Sequence, residues 1–496
     1  MQTLAPLLAL LGLAATSHAA SFARFSNETG TLTDCLTKAG VPIGESGTPE
    51  YKIDVASFNL RLNYTPAAVV AASTAQHVQD AVVCANKFGI KPTAKCGGHS
   101  YASFGLGGED GHLVIEMSRM NKVVLDNVTG IATAEGGTRL GHLAMELYTQ
   151  GKRAISHGTC PGVGVGGHLL HGGYGMSSHT HGLALDYVIG ATVVLANGTV
   201  VECSETQHGE LFWALRGAGA SMGIVTEFRL KTFEAPGQLT YFVAPVQWPT
   251  EARALVGVTA VQEFAKTMPA ELNMRLFIAR RFVNLEGLFY GDKEGLKAAL
   301  APLVAKTNAT LALATTGDWM EQIKHFGGGS NIDQGHGYEE HETFYSTSLY
   351  TKELNDEQLQ NFVGYWFNQA KNNTRDWYVQ IDLHGGENSA VSAPAADSTA
   401  YAHRDYLLMY LLYDRVDKGE YPAEGHTVME NFAGNITQGM ERSDWGMYIN
   451  YPNSRLDQKD AQLNYWGDNL PKLQAIKKDV DPEDVFHFPQ GVMPAV

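Results

Sequence analysis

The chain has 496 residues, 44% hydrophobic and 18% charged, a composition that excludes a disordered polymer. At roughly 100–200 residues per domain, two or three lobes are expected. A net charge of −16 repels nucleic acid and anionic membrane surfaces, so neither is an expected partner, and a neutral substrate suits the surface better than an anionic one.

The first twenty residues read MQTLAPLLALLGLAATSHAA. Leu4 to Ala15 is apolar but too short to span a bilayer, and Ser17-His18-Ala19 offers small residues to a signal peptidase. A cleaved secretory signal over 1–19 is therefore expected, although its start lacks Lys and Arg, and with it an extracellular location. No later segment resembles a membrane span. Sequons at Asn27, Asn63, Asn127, Asn197, Asn308, Asn372 and Asn435 agree with export. The cysteines are Cys35, Cys84, Cys96, Cys160 and Cys203. Their odd number leaves at least one thiol without an internal partner, and Cys35–Cys84 is the expected disulfide. No Cys-x-x-Cys pair is present, so no metal site is expected.

Residues 66–95 read as a strand–helix–strand unit. Val69-Val70 begins an apolar run, and Ser73-Thr74-Ala75-Gln76 caps a helix whose apolar face holds Val78, Ala81, Val82 and Ala85. Gly89-Ile90-Lys91-Pro92 ends that helix and starts a strand. His112–Met117 and Ala191–Leu195 read as buried strands, the second turning at Asn197-Gly198. Beyond Pro236-Gly237 helix-like Thr250–Lys266 alternates with strand-like Leu272–Val283, Trp377–His384 and Asp405–Tyr413. Asp457–Phe488 reads as helix, then a break at Asp481-Pro482-Glu483-Asp484. The pattern is α+β, with a second lobe of long strands and covering helices standing over a site.

The glycines cluster between 97 and 223. Three segments stand out: Lys95-Cys96-Gly97-Gly98-His99-Ser100-Tyr101, Ser156 to His168 around Thr159-Cys160-Pro161, and His171-Gly172-Gly173-Tyr174-Gly175. Successive glycines let main-chain N–H groups face a pyrophosphate without a Cβ in the way. Gly162, Gly164 and Gly167 have dinucleotide-like spacing, but they follow Cys-Pro rather than a strand, so the nicotinamide-type nucleotide fold is rejected. His99 and Cys160 are nucleophiles set in such loops, and an imidazole nitrogen and a sulfur are the side-chain atoms able to bond to a flavin ring.

Gly97–Tyr101, Gly158–Pro161 with Val163-Gly164-Val165-Gly166-Gly167-His168-Leu169, and Gly172–Gly175 together resemble the berberine-bridge-enzyme-like branch of the vanillyl-alcohol-oxidase flavoproteins. Leu211–Gly217, Gly223–Phe228, Ala402-His403-Arg404 and Tyr465–Asn469 extend the likeness over nearly the whole mature chain, which is most similar to fungal gluco-, chito- and xylo-oligosaccharide oxidases. The resemblance implies a PCMH-type FAD-binding lobe over 22–238 (core about 61–233), an α+β substrate lobe with an antiparallel sheet over 239–445, and a return to the FAD lobe over 446–496. It implies FAD bound twice covalently, by an 8α link to His99 and a 6-S-cysteinyl link to Cys160. Gly97, Gly98, Ser100, Val163, Gly164, Gly167, His168, Tyr174, Ile224 and Val225 are the other expected cofactor contacts.

The same resemblance implies a tyrosine base aided by an aspartate, which maps onto Tyr451 and Asp382. Together they would take the hydroxyl proton as the anomeric hydride leaves for flavin. Tyr101, Tyr174, Arg275, Tyr378 and Gln380 are expected to meet the sugar with them, and Phe277, Arg280, Arg281 and Leu411 fall where relatives vary. Val163, three residues after Cys160, is small, which in the family goes with oxygen as acceptor and hydrogen peroxide as product. The expected activity is oxidation of a reducing-end C1 hydroxyl to a lactone and then an aldonic acid, by a monomer. The alternatives are a berberine-bridge-like oxidase of a secondary metabolite and a non-catalytic flavin binder. Cys96 and His171 depart from the family pattern.

Overall fold

The computed structural model describes residues 30–329, 331–336 and 340–496; the expected secretory signal over 1–19 and the Asn27 sequon lie outside them. The strand–helix–strand unit forms as read. Thr74 caps helix Ala75–Lys87 by accepting from the His77 N–H, and Val78, Ala81, Val82 and Ala85 are buried. Strands Ala68–Ala71, Leu113–Glu116 and Pro92–Lys95 make a three-stranded parallel sheet beneath it. Cys84 also lies on the buried face and forms a disulfide with Cys35 of helix Leu32–Lys38.

A five-stranded antiparallel sheet follows, in the order Val123–Asp126, Ile131–Glu135, Ile224–Lys231, Val188–Val194, Val200–Cys203. The two sheets carry the glycine-rich loops and make up the lobe expected to bind FAD, hereafter the FAD lobe. The C-terminal residues come back to it as helices Gln458–Trp466 and Leu470–Val480, broken at Gly467. Trp466 donates its indole N–H to Gly217 O, and fully buried Lys477 pairs with Asp481 and donates to Ser221 O.

The second lobe is an eight-stranded antiparallel sheet. The run read as one strand over Leu272–Val283 is a hairpin, Leu272–Ala279 and Val283–Phe289, that turns at Arg280–Phe282. The other two strands run Asp376–Leu383 and Leu408–Val416, the latter starting three residues later than Asp405. Side chains alternate across a strand. Leu272, Met274, Leu276 and Ile278, with Trp377, Val379, Ile381 and Leu383, therefore share a core with helices Glu251–Thr267, Asp356–Asn368 and Ala423–Thr437. The residues between them, Arg275, Phe277, Tyr378, Gln380 and Asp382, face away from that core. The helices thus cover one side of the sheet and leave the other to the FAD lobe.

Candidate active site

One cavity separates the lobes. About 290 Å³ is open to the centre of a water-sized sphere. His99, Cys160, Gly97, Gly98, Ser100, Val163, Gly164, Gly167, His168, Tyr174, Ile224 and Val225 line it from the FAD lobe. Tyr101, Arg275, Gln380, Asp382 and Tyr451 line it as well. Tyr378 lies one step further along the sheet face, stacked between Phe277 (5.0 Å) and Tyr413 (4.8 Å), outside that lining.

The glycines around the two nucleophiles serve a close approach. A Cβ on Gly97 would stand 2.3 Å from Gly164 N, and a Cβ on Gly164 would stand 2.3 Å from Gly97 N. The His99 loop and the Cys160 loop therefore meet main chain to main chain. His168 fixes the second loop by accepting from Gly158 N–H at 2.8 Å. Phe58, which no motif marks, stacks on the His99 ring at 4.2 Å and on Tyr101 at 5.9 Å.

Tyr451 is placed by its neighbours. Tyr448 OH accepts from Gly173 N–H at 2.9 Å and from Asn450 at 3.1 Å, tying the segment to the third glycine loop. Tyr451 then stacks on Tyr101 at 5.7 Å. Gln380 donates to Asp382 Oδ2 at 2.7 Å. No hydrogen bond among the described residues joins Tyr451 to Asp382; both line the same cavity.

Burial sets the protonation states. It drives His99 down to about 3, helped by Arg139 and His341, so its imidazole is neutral at any working pH. It raises the Cys160 thiol, helped by Glu340 and Glu342, although the side chain is exposed to the cavity. It raises Tyr451 well above the usual tyrosine value, with Asp382 adding to the effect. Asp382 itself is raised to about 6 by burial, against the pull of Arg275 and the Gln380 hydrogen bond. A carboxylate near 6 is ionised at neutral pH yet still basic enough to receive a proton.

The residues fit a flavin. A neutral imidazole and a cysteine sulfur face one cavity, and the space a Gly167 Cβ would take there is open. His171, which also lines the cavity, has a buried Nε2 with no hydrogen-bond partner, while its Nδ1 bonds Gly167 O. Cys96 reaches the same cavity, donates to Thr138 O and is held as a thiol by burial, which lifts it to about 11. Elsewhere Asp54, Glu116 and His336 come together, but His336 pairs with Asp54 and Lys95 with Glu116, so their charges are matched within the protein.

Residues 66–204 match the FAD binding domain family model, and residues 447–493 match the model for berberine and berberine-like proteins. The chain is 47% identical to the xylooligosaccharide oxidase of Thermothelomyces thermophilus over 94% of each chain. It belongs to the oligosaccharide oxidase family. The chitooligosaccharide oxidase of Gibberella zeae is 44% identical over 93% of this chain and 94% of its own. Among solved structures of this family, a xylooligosaccharide oxidase in complex with xylobiose superposes with a TM-score of 0.92, covering 94% of this chain and 100% of that one. The Acremonium strictum glucooligosaccharide oxidase, described with a 6-S-cysteinyl, 8α-N1-histidyl FAD, gives 0.91 at 43% identity, covering 94% and 100%. Members of the family are FAD-linked carbohydrate oxidases, and no helix among the described residues is long and apolar enough to cross a membrane.

Proposed function

We propose that this chain is a secreted, monomeric oligosaccharide oxidase that carries FAD on His99 and Cys160 and oxidises the reducing-end C1 hydroxyl of a neutral sugar. When bound there, FAD would supply the hydride acceptor, with oxygen as the final electron acceptor and hydrogen peroxide as the product. The chain's residues manage the proton. Tyr451 takes the C1 hydroxyl proton while its own phenolic proton passes to Asp382, so no free tyrosinate forms. The sugar loses a hydride and a proton, and the product is the lactone. Tyr101 and Tyr174 offer aromatic walls to the ring, and the sheet face brings Gln380 and Arg275 to its hydroxyls.

The observation that carries this reading is the meeting, in one cavity, of the two nucleophiles with Tyr451 and Asp382. The Cys35–Cys84 disulfide supports an oxidising compartment, and light scattering in solution reads the monomer. The test is anaerobic bleaching of the yellow enzyme by xylobiose, cellobiose and chitobiose against an aromatic alcohol. Bleaching by a sugar is the expected result; bleaching by the aromatic alcohol alone overturns it.

Two further outcomes are expected. Asp382 must be ionised to accept the proton, so flavin reduction should fall as pH drops through about 6, and Asp382→Asn should erase that limb. Val163 lines the cavity three residues after Cys160. Val163→Ile should slow reoxidation by oxygen about tenfold, roughly 1.4 kcal/mol of barrier, while stopped-flow reduction by sugar is unchanged.

A further inference from the structure

Arg275 sits in the middle of a row that crosses three strands. Its register partner on Val283–Phe289 is Glu286, and its partner on Asp376–Leu383 is Asp382. Residues directly opposite on neighbouring strands share a face, so the three side chains rise together. Arg275 Nε and Nη2 both reach Glu286 Oε1 at 2.6 Å. No ion pair among the described residues joins Arg275 to Asp382, although they too are opposite each other. Asp382 takes its hydrogen bond from Gln380. Glu286 itself lies outside the cavity lining.

We propose that Glu286 is a positioning residue for the sugar oxidation: it holds Arg275 back from Asp382 and keeps that carboxylate free to receive the proton from Tyr451. The inference rests on the roles given to Tyr451 and Asp382 above. A partly buried guanidinium stripped of its partner seeks another anion. The adjacent anion in the row is Asp382, and a direct pair would occupy its oxygens and weaken it as a base. Glu286 also acts through its charge, since a carboxylate nearby favours the protonated form of Asp382. Loss of Glu286 therefore works on Asp382 twice in the same direction.

The other groups facing the pair do not substitute for it. Tyr174, Tyr378 and Tyr451 are kept neutral by burial, and the Cys160 thiol is raised by it. His325, at the end of helix Trp319–Phe326, also feels Glu286 and Arg275, and burial lowers it.

The test is anaerobic stopped-flow reduction against pH, using whichever of xylobiose, cellobiose and chitobiose bleaches the wild type fastest. In Glu286→Gln the acid limb should move down by about half a pH unit or more, and the limiting rate should fall about tenfold, the scale of one lost charge-assisted contact. The covalent flavin absorbance should be intact, and Glu286→Asp should restore most of the rate. His325→Gln should leave the limb in place. A Glu286→Gln profile superimposable on wild type, or a loss confined to sugar Kd, overturns the inference. If Asp382→Asn keeps the limb, the assignment of Asp382 has failed instead, so the two failures are told apart.

Discussion

Tyr451→Phe should slow anaerobic flavin reduction about a thousandfold while the flavin stays attached, within the ~10²–10⁴ range of a lost general base. The substitution removes one oxygen and keeps the ring. Stacking on Tyr101 and the edge contact to Tyr448 therefore survive, and sugar affinity should move little. The size of the loss follows from the protonation states. With the phenol held protonated by burial and by Asp382, no pre-formed anion exists to be missed. What disappears is the bridge that carries the sugar's proton to Asp382. Stopped-flow absorbance reads this directly, and a reduction rate within about threefold of wild type would remove Tyr451 from the chemistry.

The second large effect concerns the cofactor. His99→Ala with Cys160→Ala together should give protein whose flavin is released by acid precipitation, leaving a colourless pellet. Each single variant should keep a yellow pellet with one bond and show reduced turnover. The cavity walls supplied by Phe58, the glycine loops and Ile224-Val225 remain in all three, so reversible binding should persist. Peptide mass spectrometry settles the point: wild-type peptides around both residues found without flavin would contradict bicovalent attachment. A bond that cannot dissociate matters most where a lost cofactor cannot be replaced, which is the situation outside a cell.

Much of the FAD lobe was legible because its signals are local. Thr74 sits just before an apolar face of period 3.6, and two of the three parallel strands, Ala68–Ala71 and Leu113–Glu116, are short, largely apolar runs. The loops bearing His99 and Cys160 announced themselves by glycine spacing and by family likeness. The hairpin at Arg280–Phe282 was missed because Arg-Arg-Phe contains none of the residues that mark a turn, so two strands read as one. Phe58 and Glu286 were not found either. Neither belongs to a motif: Phe58 meets His99 across 41 residues of chain, and Glu286 matters through Arg275, its partner in an unrecognised hairpin, whose other register partner, Asp382, lies on a distant strand. Register is a property of the whole sheet, and no short window of sequence contains it. Tyr378 shows the converse. It was grouped with the sugar-contacting residues, and it lies on the same face as Gln380 but beyond the cavity.

Because Gly97 and Gly164 touch through bare backbone, no side chain acts as a spacer between the two halves of the flavin cradle. The spacing of the loops that bear His99 and Cys160 is then set by main chain alone. A methyl group at either glycine would have to prise the two loops apart, so even an alanine there should disturb the whole pocket.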